Sequence, residues 1–182
     1  MAEKIKIAFD LDGIIIDKPP FVPKALLEWL FRGTFIHQLQ YRFPQNRLEQ
    51  LIRKLSHFYL FRPPLTQNIT LIKKIAQDKR FLVFGVSGRY SFLEKETKIW
   101  LKKRKLASLF RQVFLNLKNE QPHLFKEKIL RKIKADIFVD DDKLLADYLA
   151  QKLKQTKIYY YSKYNEQCRW AKTISSLKEV LE

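Results

Sequence analysis

Cysteine is nearly absent. Cys168 stands alone in 182 residues, which rules out an internal disulfide and fits a reducing compartment; its thiol is expected to be structural or at the surface. Histidine is scarce as well, and His37, His57 and His123 have no spacing that makes a zinc site. No apolar run approaches the roughly 18–20 residues needed to span a bilayer. The opening Met-Ala-Glu-Lys-Ile-Lys carries neither an apolar signal core nor a small-residue cleavage site. These absences argue against a disulfide scaffold and a membrane partner, and the cytoplasm is the expected location.

Acidic residues are outnumbered, 19 Asp plus Glu against 36 Lys plus Arg, for a net charge of +17. Such a field attracts phosphorylated substrates or nucleic acid. The basic residues are nevertheless dispersed, recurring as Lys73-Lys74, Lys102-Lys103-Arg104-Lys105 and Lys152 with Lys154. Dispersal of this kind reads as general solvation rather than one binding stripe, so nucleic acid is not the favoured partner.

What is present is ample material for a core, 46% hydrophobic and 14% aromatic residues, in a length that suits one compact domain with an insert. Strand-like runs at 4–9, 80–86, 111–117, 136–139 and 156–161 alternate with segments of helical period. Among the latter, Ile69, Ile72, Ile75 and Ala76 keep 3.6-residue spacing, and Phe92, Thr97, Ile99-Trp100-Leu101 and Leu106 mix with charges. The alternation predicts an α/β fold, a doubly wound, Rossmann-like parallel sheet with helices on both faces. In such sheets ligands bind beyond the carboxyl ends of the strands.

The first strand ends in chemistry. Lys4-Ile-Lys-Ile-Ala-Phe-Asp10-Leu-Asp12-Gly13 places two carboxylates at i and i+2, on one side of an extended chain, before a glycine turn. A side chain and a freed carbonyl there could reach one hard cation, since Mg²⁺ prefers oxygen ligands. An EF-hand loop is a poor fit, because its glycine stands at the sixth position and this one stands at the fourth. The plainer alternative is that Asp and Gly simply end a strand and open a turn.

Two further apolar runs end in the same manner. Phe81-Leu-Val-Phe-Gly-Val86 leads into Ser87-Gly88-Arg89, and Asp136-Ile-Phe-Val139 leads into Asp140-Asp141-Asp142, with Lys126 between them at the start of a helical pattern. In order and strand-end placement these four elements resemble the haloacid dehalogenase superfamily. Its phosphatases carry D-x-D after the first strand, Ser or Thr after the second, Lys before the fourth, and an acidic pair after it. The resemblance runs from Asp10 to Asp141. It implies a Mg²⁺-dependent phosphatase acting on small phosphorylated substrates through an aspartyl-phosphate. Asp10 would be the nucleophile and Asp12 the proton shuttle, while Lys126 neutralises charge. Ser87, Gly88 and Arg89 would bind phosphate. Metal ligands would be the Asp10 side chain, the Asp12 carbonyl and Asp141, with Asp140 in support; Asp142 could instead cap the next helix. Lys118 and Lys128 are neighbours that could replace Lys126.

Residues 18–64 break the alternation. Pro19-Pro20 and Pro63-Pro64 bracket them, and prolines favour linkers over regular elements. Pro23 suits the first turn of a helix through Phe31, and Leu48, Leu51, Ile52, Leu55 and Phe58 follow the pattern of a second. The expected domains are a core of 1–17 and 65–182 and a small helical insert of 18–64, which the resemblance makes a C1 cap. The insert's aromatics, Phe21, Trp29, Phe31, Phe35, Tyr41, Phe43, Phe58, Tyr59 and Phe61, are expected mostly to form its core. The small cap and the ending Ile137-Phe-Val-Asp-Asp141 look most similar to the 5′(3′)-deoxyribonucleotidase-like branch, so nucleotides are the suspected substrates. Two alternatives stay open: a phosphatase of nucleic-acid ends or sugar phosphates, and a basic nucleic-acid-binding protein that keeps the scaffold without turnover.

Overall fold

A computed structural model describes residues 3–20, 39–164 and 166–181. The described elements are β1 (Ile5–Phe9), α1 (Arg47–Ser56), α2 (Thr66–Gln77), β2 (Phe81–Tyr90), α3 (Glu94–Lys103), β3 (Gln112–Asn116), α4 (Pro122–Ile133), β4 (Ile137–Asp140), α5 (Lys143–Lys152), β5 (Lys157–Tyr161) and β6 (Lys172–Ile174). The strands form one sheet in the order β3-β2-β1-β4-β5-β6, every pairing parallel. The α/β, doubly wound architecture expected of the sequence is the one observed. The chain winds outward from β1 to β3, then returns to β4 on the other side of β1. The order therefore reverses between β1 and β4, which is where open sheets of this kind form a ligand crevice.

Period-two alternation makes the central strands two-faced. On one face Ile7, Phe9, Ile137 and Val139 pack with Ile69, Ile72 and Ile75 of α2 and with Trp100 and Leu101 of α3. On the other, Ala8 and Phe138 pack with Phe125, Ile129 and Leu130 of α4 and with Leu145 and Leu149 of α5. Ile99, grouped with Trp100 by sequence, turns outward at 37% exposure. β2 runs four residues past its expected end, to Tyr90, with its register against β3 shifting between Ser87 and Tyr90. β6 has no counterpart among the sequence-predicted strands; three residues, Lys-Thr-Ile, are too few to show a period.

Trp100 is fully buried, and its indole Nε1 donates to the Arg62 carbonyl at 2.8 Å, tying α3 to the segment that re-enters the core. Trp100→Ala is expected to cost about 3–5 kcal/mol, read as a lowered urea midpoint. Trp100→Phe should recover most of that loss, the remainder reporting the orphaned carbonyl.

The chain at either end of residues 18–64 is strapped together: the Asp17 amide donates to the Pro63 carbonyl at 2.8 Å, and the Leu65 amide to the Ile15 carbonyl at 2.9 Å. The sequence-predicted helix from Pro23 through Phe31, and the aromatics Phe21, Trp29, Phe31 and Phe35, lie outside the described residues. The second predicted helix is present as α1, capped by Asn46, whose Oδ1 accepts the Glu49 amide at 2.7 Å. Its orientation differs from expectation. Leu48, Leu51, Ile52 and Leu55 are exposed, as are Phe58 and Phe61, whereas Arg53 is buried. Among the described residues, α1 turns Arg53 inward, where it lines the cavity described below.

Candidate active site

Three strand ends meet at the switch point. The Asp10 amide donates to the Val139 carbonyl at 2.9 Å, which locks the end of β1 against β4 and brings Asp10 beside Asp140. α4 begins with Pro122 at its first helical position, a proline site that needs no amide donor. One turn on, α4 presents Lys126, whose Nζ lies 2.7 Å from Asp140 Oδ2 and 3.2 Å from Asp10 Oδ1. All three side chains are buried. Lys118 lies outside this cluster, and Lys128 pairs with Glu120 at the surface. Of the three candidate lysines the fold brings Lys126 to the carboxylates.

The acidic triplet divides its labour. Asp140 Oδ1 accepts the Asp142 amide at 3.0 Å, while Asp142 caps α5, accepting the amides of Leu144 at 3.1 Å and Leu145 at 3.3 Å. Asp141 turns toward Gly13. That glycine has φ +68°, and a Cβ there would fall 1.9 Å from Asp141 Oδ2. Gly13 thus serves both as a left-handed turn and as the gap that admits the Asp141 carboxylate.

Carboxylate oxygens of Asp10, Asp140 and Asp141 lie within 4.8 Å of one another. Burial raises the proton affinity of all three; Lys126 opposes this at Asp10 and Asp140, and Lys18, 4.0 Å away, opposes it at Asp141, which is still pushed up to about 7. Lys126 itself stays firmly protonated, the pull of Asp10 and Asp140 outweighing the cost of its burial. Among the described residues Asp10 Oδ1 is buried with the Lys126 ammonium as its charged contact and no well-formed hydrogen bond. Hard oxygen donors with too little positive charge among them are a set that a Mg²⁺ ion fits.

Asp12 stands apart from this cluster. Arg89 grips it with two parallel bonds, Nε to Oδ2 and Nη2 to Oδ1, both 2.7 Å, and Arg62 Nη2 adds a contact to Oδ1. Burial alone would raise its proton affinity, but Arg89 and then Arg62 overcome that and hold it far below the usual carboxylate range. The remaining Arg89 nitrogen, Nη1, donates to Thr97 Oγ1 at 3.0 Å. The Arg89 guanidinium, expected to bind phosphate, is here engaged by the Asp12 carboxylate. Gly88 lines the cavity, and a Cβ on it would meet Pro122 at 2.8 Å. Ser87 is fully buried in β2; its Oγ accepts the Arg89 amide at 3.3 Å, and it is not among the cavity-lining residues.

Asp10, Asp12, Gly13, Gly88, Arg89, Lys126 and Asp140–Asp142 border one cavity of about 480 Å³. Arg62, Arg53, His57, Tyr41 and Lys18 also line it, none of them marked by the sequence as a site residue. All five fall within residues 18–64, where no strand end announces them. His57 is buried and held neutral, its pKa lowered to about 3 by burial and then by Arg89 and Arg62. An unfolded chain binds a proton near pH 6.5 that the native state refuses, so the His57 contribution to stability should fall by about 1.4 kcal/mol per unit as pH drops from 6.5 toward 3, opposite in sign to the contribution of the Asp141 carboxyl. His57→Gln should flatten that slope by one proton, measured as denaturation midpoints between pH 4 and 7.

His123 packs edge-on against Tyr148, and His37 lies outside the described residues. Burial and Asp147 push the Cys168 thiol up to about 12, which makes it a poor nucleophile. No described helix is long and apolar enough to cross a membrane.

No protein-family profile and no curated protein sequence matches the chain. Solved structures do. A haloacid dehalogenase-like hydrolase from Streptococcus pneumoniae superposes with a TM-score of 0.63 at 13% identity, over 100% of this chain and 98% of that one. An archaeal beta-phosphoglucomutase from Pyrococcus gives 0.59 at 12%, covering 97% of each. A haloacid dehalogenase family enzyme from Bacteroides thetaiotaomicron, solved with magnesium and inorganic phosphate, gives 0.56 at 13%, over 98% of this chain and 99% of that one. At such identities the likeness concerns architecture, and by architecture this chain has the fold of the haloacid dehalogenase-like hydrolases.

Proposed function

We propose that this protein is a Mg²⁺-dependent phosphatase that hydrolyses phosphate monoesters through an aspartyl-phosphate at Asp10, with residues 18–64 serving as its cap. The observation that supports it is the buried Asp10–Lys126–Asp140 cluster, joined by Asp141, at the switch point of a parallel sheet. Asp10 attacks phosphorus, splitting one difficult displacement into two easier ones. Lys126 fixes the Asp10 carboxylate and offers positive charge to an incoming phosphoryl oxygen. Asp10, Asp141 and the Asp12 carbonyl would hold Mg²⁺, with Asp140 in support, and the ion would supply charge neutralisation between nucleophile and phosphate. Gly88, with Ser87 behind it, frames the phosphate position from β2.

Asp12 is assigned the proton shuttle. Among the described residues it is also the carboxylate that Arg62 and Arg89 share, so protonating a leaving alkoxide requires that at least one arginine exchange it for another anion. Asp12→Asn is expected to slow phosphate release by roughly 10²–10⁴-fold. It should also destabilise the fold, by up to about 3–5 kcal/mol, since two buried arginines lose their carboxylate. With 31% of the Asp12 side chain open to the cavity, the lower part of that range is expected. Single-turnover kinetics beside a denaturation curve separates the two effects.

Nucleotides remain a substrate class within this reading, supported by the likeness of Ile137–Asp141 to the nucleotidase-like branch. The test is a panel of nucleotides, sugar phosphates and phosphorylated DNA ends with Mg²⁺ or EDTA. Mg²⁺-dependent release from any of them supports phosphatase action. Steeply salt-dependent binding of random single-stranded DNA, with no hydrolysis of any ester, would overturn it in favour of a binding protein.

A further inference from the structure

Asp12 brings one negative charge to a place where the fold has buried two arginines. Arg89 is fully used, its bidentate grip on Asp12 completed by the bond to Thr97. Arg62 is not. Its side chain is only 4% exposed, yet it reaches Asp12 through Nη2 alone, and its Nε is buried with no acceptor among the described residues. Its backbone is fixed too, the Arg62 carbonyl accepting from the buried Trp100 indole. A buried guanidinium with an unused donor is costly unless another anion completes it. Since Arg62 lines the cavity, that anion can enter from the cavity side.

We infer that Arg62, supported by Arg89, forms a subsite for a second anionic group on the substrate, a carboxylate or a second phosphate carried near the scissile ester. The inference rests on the phosphatase reading for which end of the substrate reacts. The distance between the two groups follows from the chain. Asp12 stands two residues from Asp10 and is itself what Arg62 touches, so an anion on Arg62 lies next to the leaving-group oxygen rather than far along a leaving group. The planar fork of a guanidinium suits carboxylate or phosphate oxygens better than hydroxyls. The cavity thus has two unlike ends. Around Asp10, Asp140 and Asp141 it calls for a cation, and around Arg62 it calls for an anion. A phosphomonoester with a neutral alcohol portion satisfies only the first.

Unreactive phosphonates test this without relying on turnover. Isothermal titration of the wild-type protein with Mg²⁺ compares propylphosphonate with 3-phosphonopropionate and with propane-1,3-bisphosphonate. At least one doubly anionic ligand is expected to bind ten times or more tightly than propylphosphonate, and the arm that wins tells carboxylate from phosphate. Arg62→Gln should reduce that margin to within about twofold, and Arg62→Lys should restore part of it. Because the wild-type comparison needs no substitution, a misfolded variant cannot hide a negative result. Equal affinities for all three ligands, or a margin that survives in folded Arg62→Gln, would overturn the subsite. Failure of the phosphatase reading looks different: no phosphomonoester is hydrolysed although the margin persists.

Discussion

Asp10→Asn should abolish phosphate release, by at least about a thousandfold, while the protein stays folded. The amide is nearly isosteric with the carboxylate but cannot attack phosphorus. Asp10 has little structural duty to lose: among the described residues its Oδ1 has no well-formed hydrogen bond, and its charged contact to Lys126 is longer than the one from Asp140, 3.2 against 2.7 Å. Replacing Asp10 also removes one of three crowded carboxyls whose charge burial penalises. The variant is therefore expected to be at least as stable as the wild type, and wild-type-like turnover by it would remove Asp10 from the chemistry.

Removing the metal should have an effect of similar size. EDTA is expected to stop turnover and Mg²⁺ to restore it, with Ca²⁺ a poor substitute because its larger, looser shell misplaces the reacting oxygens. Asp141→Ala should raise the Mg²⁺ concentration needed for half-maximal activity by tenfold or more. Asp142→Ala should leave that requirement nearly unchanged and cost about 1 kcal/mol of stability, because its carboxylate is the cap of α5. The same logic applies to Gly13. Gly13→Ala places a methyl where the Asp141 carboxylate lies and strains a left-handed turn, so it should mimic Asp141→Ala in metal requirement. Metal titrations of the three variants give the ranking directly, and a sensitive Asp142 would shift the ligand assignment by one residue.

The sheet and the strand-end residues were legible because both follow from local rules. Five apolar runs of strand length, separated by helical periods, point to a parallel sheet whose carboxyl edge gathers Asp10, Asp140 and Asp141, whereas Lys126 comes from α4 and is singled out among three lysines by the family resemblance. The role of Asp142 as a helix cap was equally readable, as an aspartate immediately before an apolar helical stretch. Less legible was everything decided across the cavity. Arg89 follows Ser87-Gly88 as a phosphate-binding residue would, but its partner is Asp12, 77 residues away, and no spacing encodes that pair. Arg62 and His57 belong to a segment without strand ends to place them. The apolar period of α1 identified a helix and named its hydrophobic face, but not that Arg53 on the other face is the residue turned inward. β6 is three residues long and owes its existence to the β5 edge on which it pairs.

The account's central claim is that Asp10 becomes phosphorylated. Mixing the protein with a hydrolysed monoester and Mg²⁺, quenching in acid within a single turnover, and sequencing the peptides by mass spectrometry tests it most directly. A phosphoryl group on the peptide containing Asp10, discharged by hydroxylamine as an acyl phosphate must be and absent in Asp10→Asn, is the predicted result. Full turnover of substrate with no adduct on Asp10 at any quench time would contradict it.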